Sequence, residues 1–326
     1  MKIIVLGAGT WGTTLAKVLD QNSHSVTLWH YRKDFIDQMN KDRYHSKLNI
    51  EISKSIQLTS NLKEFEKFDM AVIAVPSQSI REVLNKVKII HQDLIIVNAS
   101  KGIEVSSLNT VSKIIENITL VSKNNIVALY GPSHAEEVAK EIPTTIVAAC
   151  VNIDTARITQ DVFSNHYFRI YSNDDIIGVE IGGAVKNIIA IAAGITIGVG
   201  YGDNTISALI TRGIAEIKRL GIKMGAKEKT FLGLSGIGDL IVTATSTHSR
   251  NRKLGFELGK GKKINKVIED MGMVVEGVQT SKAIYKLAKK MDVEMPICNN
   301  VYQILFNQKN PTIAIKDLMN RKLIDE

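Results

Sequence analysis

The chain has 326 residues, 44% hydrophobic and 23% charged, with a formal net charge of +8 and two cysteines. This is the balance of a soluble globular chain long enough for two domains, and it excludes a disulfide-stapled scaffold. Cys150 and Cys298 stand in no metal-like or redox-like spacing, so both are expected as buried free thiols in a reducing compartment.

The N-terminus, "MKIIVLGAG", has no cleavage-site pattern and its apolar run leads straight into glycines. The longest uncharged apolar run, residues 188–200, is too short to span a bilayer. A cytoplasmic protein with no membrane span is expected.

Strand candidates alternate with helix-like segments through the first 175 or so residues. In order they are "KIIVLG", "SVTLWH", "SIQLT", "DMAVIAV", "DLIIVNAS", "NIVALYG", "TTIVAAC" and "YFRIYS". Helices are expected at 10–21, 77–87 and 108–118. Such alternation predicts a mostly parallel sheet with helices on both faces. Beyond Asp174 the strand runs cease, and helices are expected at 176–199, 203–221, 251–259, 264–270, 276–291 and 295–307. The expected organisation is a Rossmann-type α/β domain over residues 1–178 and an all-α domain over 179–326.

"KIIVLGAGTWGTTLAKVL" places Gly7, Gly9 and Gly12 in G-x-G-x-x-G spacing between a strand and a helix. In that context the first glycine makes the tight turn, the second admits a pyrophosphate to the backbone, and the third lets helix and strand pack closely. The helix N-terminus then faces the anion. The second strand ends in "TLWHYRKD", where an NAD site usually carries an acid for the ribose. Arg32 stands in that region and the nearest acid is Asp34. A guanidinium suits a 2′-phosphate, so NADP is expected beside NAD.

Lys101 lies at the end of another strand, where ligands of doubly wound sheets bind. Lys186 lies in the apolar stretch "GGAVKNIIAIAAGITIGVG". An unpaired ammonium there is costly, and a lowered pKa is the usual relief, which suits a general acid or base. Snorkelling to the helix rim is the alternative. A second G-x-G, Gly236 and Gly238, has no strand before it, and Asp239 after it could cap a helix or pair with Lys186. In "HSRN", Ser249 or Asn251 is either an ordinary N-cap or part of a phosphate cradle with Arg250. The basic stretch 250–266 is either a solvated face or an anion-attracting patch.

Taken in order, "GAGTWGT" (7–13), "NASKGIE" (98–104), "GPSHAEEV" (131–138), "GGAVKNIIAIAAG" (182–194), "GLSGIGDL" (233–240), "HSRNRKLG" (248–255) and "VVEGVQT" (274–280) resemble the bacterial NAD(P)-dependent sn-glycerol-3-phosphate dehydrogenases. The resemblance runs over nearly the whole chain. It implies that Thr10, Trp11, Tyr31, Arg32, Ala135, Val274 and Glu276 contact the cofactor, and that Lys101 and Arg250 reach both cofactor and substrate. It implies that Gly131, Ser133, Asp239, Ser249 and Asn251 hold the substrate, and that Lys186 is the proton donor and acceptor. It further implies a metal-free reaction, a homodimer, and a supply of glycerol 3-phosphate to phospholipid synthesis. The chain departs from the family at Ala244, where cysteine is common, and at Tyr31, which replaces one of a basic pair.

Two other readings compete. Another two-domain dehydrogenase acting on a hydroxy acid or acyl thioester shares the first motif but does not predict "HSRN". A nucleotide-sensing nucleic-acid binder follows from the basic stretch but needs no Lys186, and Phe256 alone offers little aromatic stacking.

Overall fold

A computed structural model describes residues 1–62, 65–87, 93–272 and 274–323. They form two compact units, Met1–Lys101 with Asn109–Glu180, and Gly102–Leu108 with Ile181–Glu326.

The first unit runs β1 (Lys2–Leu6), α1 (Thr10–Gln21), β2 (Ser25–Trp29), α2 (Lys33–Asp42), β3 (Tyr44–His45), β4 (Ile50–Glu51), β5 (Gln57–Thr59), β6 (Met70–Ile73), α3 (Ile80–Asn85), β7 (Ile95–Asn98), α4 (Val111–Ile118), β8 (Ile126–Tyr130), α5 (Ala135–Val138), β9 (Thr144–Ala149), α6 (Ile153–Phe163) and β10 (Phe168–Asn173). All the strands expected from the sequence join one sheet, in the order β10-β9-β8-β7-β6-β1-β2-β5. Neighbouring strands pair in parallel except β8 and β9. The small β3–β4 hairpin was not expected; it pairs only Tyr44 with Glu51 and His45 with Ile50, too short a run to show alternation.

Central strands of such a sheet are covered on both faces, which is why they read as continuous apolar runs. Ile3, Ile4, Val5 and Leu6 of β1 are all buried, as are Met70, Ala71, Val72 and Ile73 of β6. The chain leaves β1 toward β2 on one side and returns to β6 on the other, so the switch point of the sheet lies at the C-terminal end of β1. Ligands of doubly wound sheets bind at that point.

Helix α7 (Ile176–Val199) runs from the first unit into the second. It is followed by α8 (Asp203–Lys223), α9 (Asp239–Thr245), α10 (Arg250–Gly259), α11 (Ile264–Met271), α12 (Glu276–Met291), α13 (Pro296–Asn307) and α14 (Pro311–Met319). The short run 188–200 understates α7. The whole helix has 24 residues and is long and apolar enough to cross a membrane by length and composition, yet 94% of its most apolar window is buried inside the protein. It is therefore a core helix, apolar all round because protein covers every side.

Small residues let α10 lie against α7 with backbones nearly touching. A Cβ on Gly194 would stand 2.0 Å from Arg252 O, and one on Gly255 2.0 Å from Ile191 O. No larger side chain fits either place. The same contacts hold the N-terminus of α10 beside the middle of α7.

Candidate active site

A glycine-lined turn is built at the end of β1. Gly7 adopts φ +119°, and a Cβ there would sit 2.5 Å from Ala74 O, so turn and space both require glycine. A Cβ on Gly12 would meet Gly7 O at 1.8 Å, so α1 packs directly on its own turn. In front of Gly9, by contrast, no atom lies within 4 Å of a Cβ position. Gly9 is the N-cap of α1 and supplies no side-chain cap. The first turn, with Thr10 and Trp11, thus offers uncapped N–H groups behind open space, which fits a pyrophosphate.

At the end of β2, Arg32 and the nearest acid, Asp34, are found together. Arg32 is held by Asp34 in a two-point pair, Nε donating to Oδ1 at 3.2 Å and Nη2 to Oδ2. Hydrogen bonding to Arg32 draws the Asp34 carboxyl below its usual range, and the same bonds raise Arg32. Tyr31 beside them is 70% exposed. The end of β2 therefore offers both an acid and a base.

Other expected residues of this unit gather at the ends of β7 and β8. Lys101 Nζ donates to Gly131 O at 3.0 Å, and Ser133 Oγ donates to the same oxygen at 3.0 Å. Gly131 has φ +152°, and a Cβ there would stand 2.8 Å from Ile146. Ala135 opens α5, and its carbonyl accepts from Thr14 Oγ1 of α1 at 3.3 Å.

The second unit holds the other cluster. Of the two roles open to Asp239, the structure shows pairing: Lys186 is buried, and Nζ donates to Asp239 Oδ1 at 2.5 Å and to Thr243 Oγ1 at 2.7 Å. The charge is met by pairing, so neither snorkelling nor neutralisation is required. Asp239 is the first residue of α9 and 1% exposed; Gly238, not Asp239, holds the cap position. Thr243 gives its own proton to Asp239 O at 2.6 Å, which turns its lone pairs toward the lysine. Thr243 was missed, although its i+4 spacing from Asp239 puts both on one helix face.

The path into α9 explains the second G-x-G. Leu234–Gly238 form a π-helical turn that runs on into α9. Such turns are frequent at functional sites. A Cβ on Gly182 would stand 2.7 Å from Ser235 O. One helical step beyond that contact, on each side, stand Lys186 and Asp239.

Asn187, next to Lys186, is a further residue to which the sequence assigns no role. It is buried, and its Oδ1 accepts from Asn251 Nδ2 at 3.0 Å, while Asn251 Oδ1 accepts from Gly277 N at 3.0 Å. Arg250 Nη1 donates to Val274 O at 2.9 Å. Ser249 is the N-cap of α10, accepting from Arg252 N at 3.2 Å. So Asn251, Arg250, Val274 and the start of α12 at Glu276 are tied together beside the Lys186 helix. Two lysines of the basic stretch form ion pairs, Lys262 with Glu257, and Lys266 with Glu269 and Asp270.

Comparison with known proteins agrees over nearly the whole chain. Residues 2–156 match the family model for the NAD-dependent glycerol-3-phosphate dehydrogenase N-terminus, and residues 175–316 that for its C-terminus. The chain is 52% identical over 326 residues to a protein of Bacillus subtilis named glycerol-3-phosphate dehydrogenase [NAD(P)+], covering 98% of this chain and 94% of that one. It is 49% identical over 328 residues to one of the same name from Oceanobacillus iheyensis, covering 100% and 95%. A crystal structure of a glycerol-3-phosphate dehydrogenase from Coxiella burnetii superposes with a TM-score of 0.94 at 34% identity, covering 98% of this chain and 99% of that chain. The chain belongs to the NAD-dependent glycerol-3-phosphate dehydrogenase family.

Proposed function

We propose that this chain interconverts dihydroxyacetone phosphate and sn-glycerol 3-phosphate with NAD(P)H. The observation that carries the reading is the buried Lys186–Asp239–Thr243 cluster in a chain that also presents a glycine-lined dinucleotide turn.

The glycine turn and the uncapped start of α1 are suited to hold the pyrophosphate of the dinucleotide. When bound, the reduced nicotinamide supplies the hydride that reduces the substrate carbonyl carbon. Lys186 gives a proton from Nζ to the carbonyl oxygen as negative charge develops there. Asp239 and Thr243 fix the direction of Nζ and keep its charge in place before reaction. In the reverse direction the same nitrogen takes the proton back. Lys101, steadied on Gly131 O, helps polarise the carbonyl, with Gly131 and Ser133 beside it. Arg250, Asn251 and Ser249 at the start of α10 hold the substrate phosphate, so binding remote from the reacting carbon positions it. Arg250, Val274 and Glu276 also meet the cofactor.

The proposal extends to a homodimer in the cytoplasm that supplies glycerol 3-phosphate to phospholipid synthesis. The two buried free thiols, Cys150 and Cys298, suit a reducing compartment.

Steady-state oxidation of NADPH and NADH with dihydroxyacetone phosphate tests the reading, run beside a 2-oxo acid and a 3-oxoacyl thioester. Turnover confined to the phosphate ketone supports it. Preferred turnover of either other class refutes the substrate assignment.

A further inference from the structure

A second buried polar cluster lies in the first unit, and the mechanism above makes no use of it. Glu180 is 2% exposed. Its Oε1 accepts from Ser112 N at 2.8 Å and from Asn98 Nδ2 at 3.4 Å, and its Oε2 accepts from Ser112 Oγ. Asn98, wholly buried at the end of β7, also donates from Nδ2 to Tyr130 Oη at 2.7 Å. Tyr130 in turn donates to Ser100 O. Asn98 Oδ1 accepts from Ser100 N at 2.9 Å, and Ser100 Oγ donates to Val75 O at 2.6 Å.

The set runs from Glu180 and Ser112 through Asn98 and Tyr130 to the turn that follows β7. Ser100 is held at its N–H, its hydroxyl and its carbonyl, and the next residue is Lys101. The ring that holds Ser100 O also lies under the lysine, with Nζ 5.7 Å from the Tyr130 centroid. Burying a carboxyl, a carboxamide and a phenol together is expensive unless each is satisfied, and apolar residues would fill the space at lower cost. What the polar set adds is directional. It permits one conformation of the 98–101 turn, and with it one origin for the Lys101 side chain. Burial pushes the Glu180 carboxyl above its usual range, as fits a group that works by hydrogen bonding.

We infer that Glu180 and Tyr130 are positioning residues for Lys101, acting through Asn98 and the backbone of Ser100. The inference rests on the role of Lys101 given above.

The test is a double-mutant cycle on the full-length enzyme. Tyr130→Phe and Glu180→Gln are each made alone and with Lys101→Met. Thermal midpoint, affinity for the reduced dinucleotide, and kcat/KM for dihydroxyacetone phosphate are measured. Tyr130→Phe conserves volume and the ring beneath Lys101, so it keeps the test open if Glu180 variants fail to fold. The expected loss in kcat/KM is about 10-fold for Tyr130→Phe and about 3-fold for Glu180→Gln with Lys101 present, shrinking to under about 2-fold in the Lys101→Met background. Any loss of dinucleotide affinity should likewise vanish in the Lys101→Met background, since Lys101 is placed against both ligands. Equal losses in both backgrounds indicate general damage and overturn the inference, as does no loss in either. Wild-type kcat/KM in Lys101→Met alone refutes the assignment of Lys101, a result separate from the coupling, and removes the inference with it.

Discussion

Lys186 Nζ lies 2.5 Å from Asp239 Oδ1, and both side chains are buried. Removing either partner strands the other without its counter-charge. Lys186→Met should therefore cost about 3–5 kcal/mol of stability and about 10²–10⁴-fold in turnover. The two losses are separable. Lys186→Met combined with Asp239→Leu should recover much of the thermal midpoint and none of the activity. Recovery of activity in the apolar pair contradicts the role of Lys186 as proton donor.

The Arg250 and Asn251 side chains make different bonds and should fail differently. Arg250→Ala removes a guanidinium from the start of α10 and should raise KM for dihydroxyacetone phosphate about 10–100-fold, as loss of a charged hydrogen bond implies. Its kcat should change far less. Asn251→Ala breaks the ties to Asn187 and to Gly277 N and should lower kcat as well. Initial rates over a range of substrate concentration separate the two. An unchanged KM in Arg250→Ala removes the phosphate role.

Cofactor choice should turn on the Arg32–Asp34 pair. Asp34→Ala frees the guanidinium for a 2′-phosphate, and the ratio of kcat/KM for NADPH over NADH should rise about 3–10-fold. Arg32→Ala should move the ratio the opposite way. Ratios unmoved by both substitutions place the discrimination elsewhere.

Glu216 of α8 gives a pH prediction. It is 2% exposed, and its two oxygens accept from Ile297 N at 2.6 Å and Cys298 N at 3.1 Å at the start of α13. Burial raises its pKa from 4.5 to about 7. The folded state thus holds this proton where the unfolded state has lost it. The stabilising difference is full below the unfolded value and is lost as pH rises through the folded value. Unfolding free energies of wild type and Glu216→Gln, compared at a mildly acidic and a mildly alkaline pH, should converge or cross by about 2–3 kcal/mol, with the wild type losing ground as pH rises. Parallel curves contradict the assignment.

Legibility in the sequence followed the strength of local signals. Helix α1 has the bounds its glycine start and apolar period predict, and the sheet strands were readable as buried β-branched runs. Helix α2 is hard to read because only Ile36 and Met39 of it are buried, with Phe35 partly covered against the core. Helix α6 was missed because Ile153, Thr155, Ile158, Thr159 and Val162 favour strands, although Thr155, Thr159 and Val162 recur on one buried face. The Lys186–Asp239 pair was visible only as an option. Its partners are 53 positions apart, and a π turn packed on Gly182 joins them, a contact no periodicity encodes. Sequence spacing places Arg32 and Asp34 near one another but does not show that Asp34 folds back onto the guanidinium.

The most direct test of the central claim is dihydroxyacetone phosphate-dependent loss of reduced-nicotinamide absorbance, in wild type and in Lys186→Met under conditions where both are folded and bind the dinucleotide. The account predicts steady oxidation of NADPH or NADH by wild type and at least a hundredfold less, on the order expected for a lost general acid, by the variant. No oxidation by wild type, or undiminished oxidation by the folded variant, contradicts it.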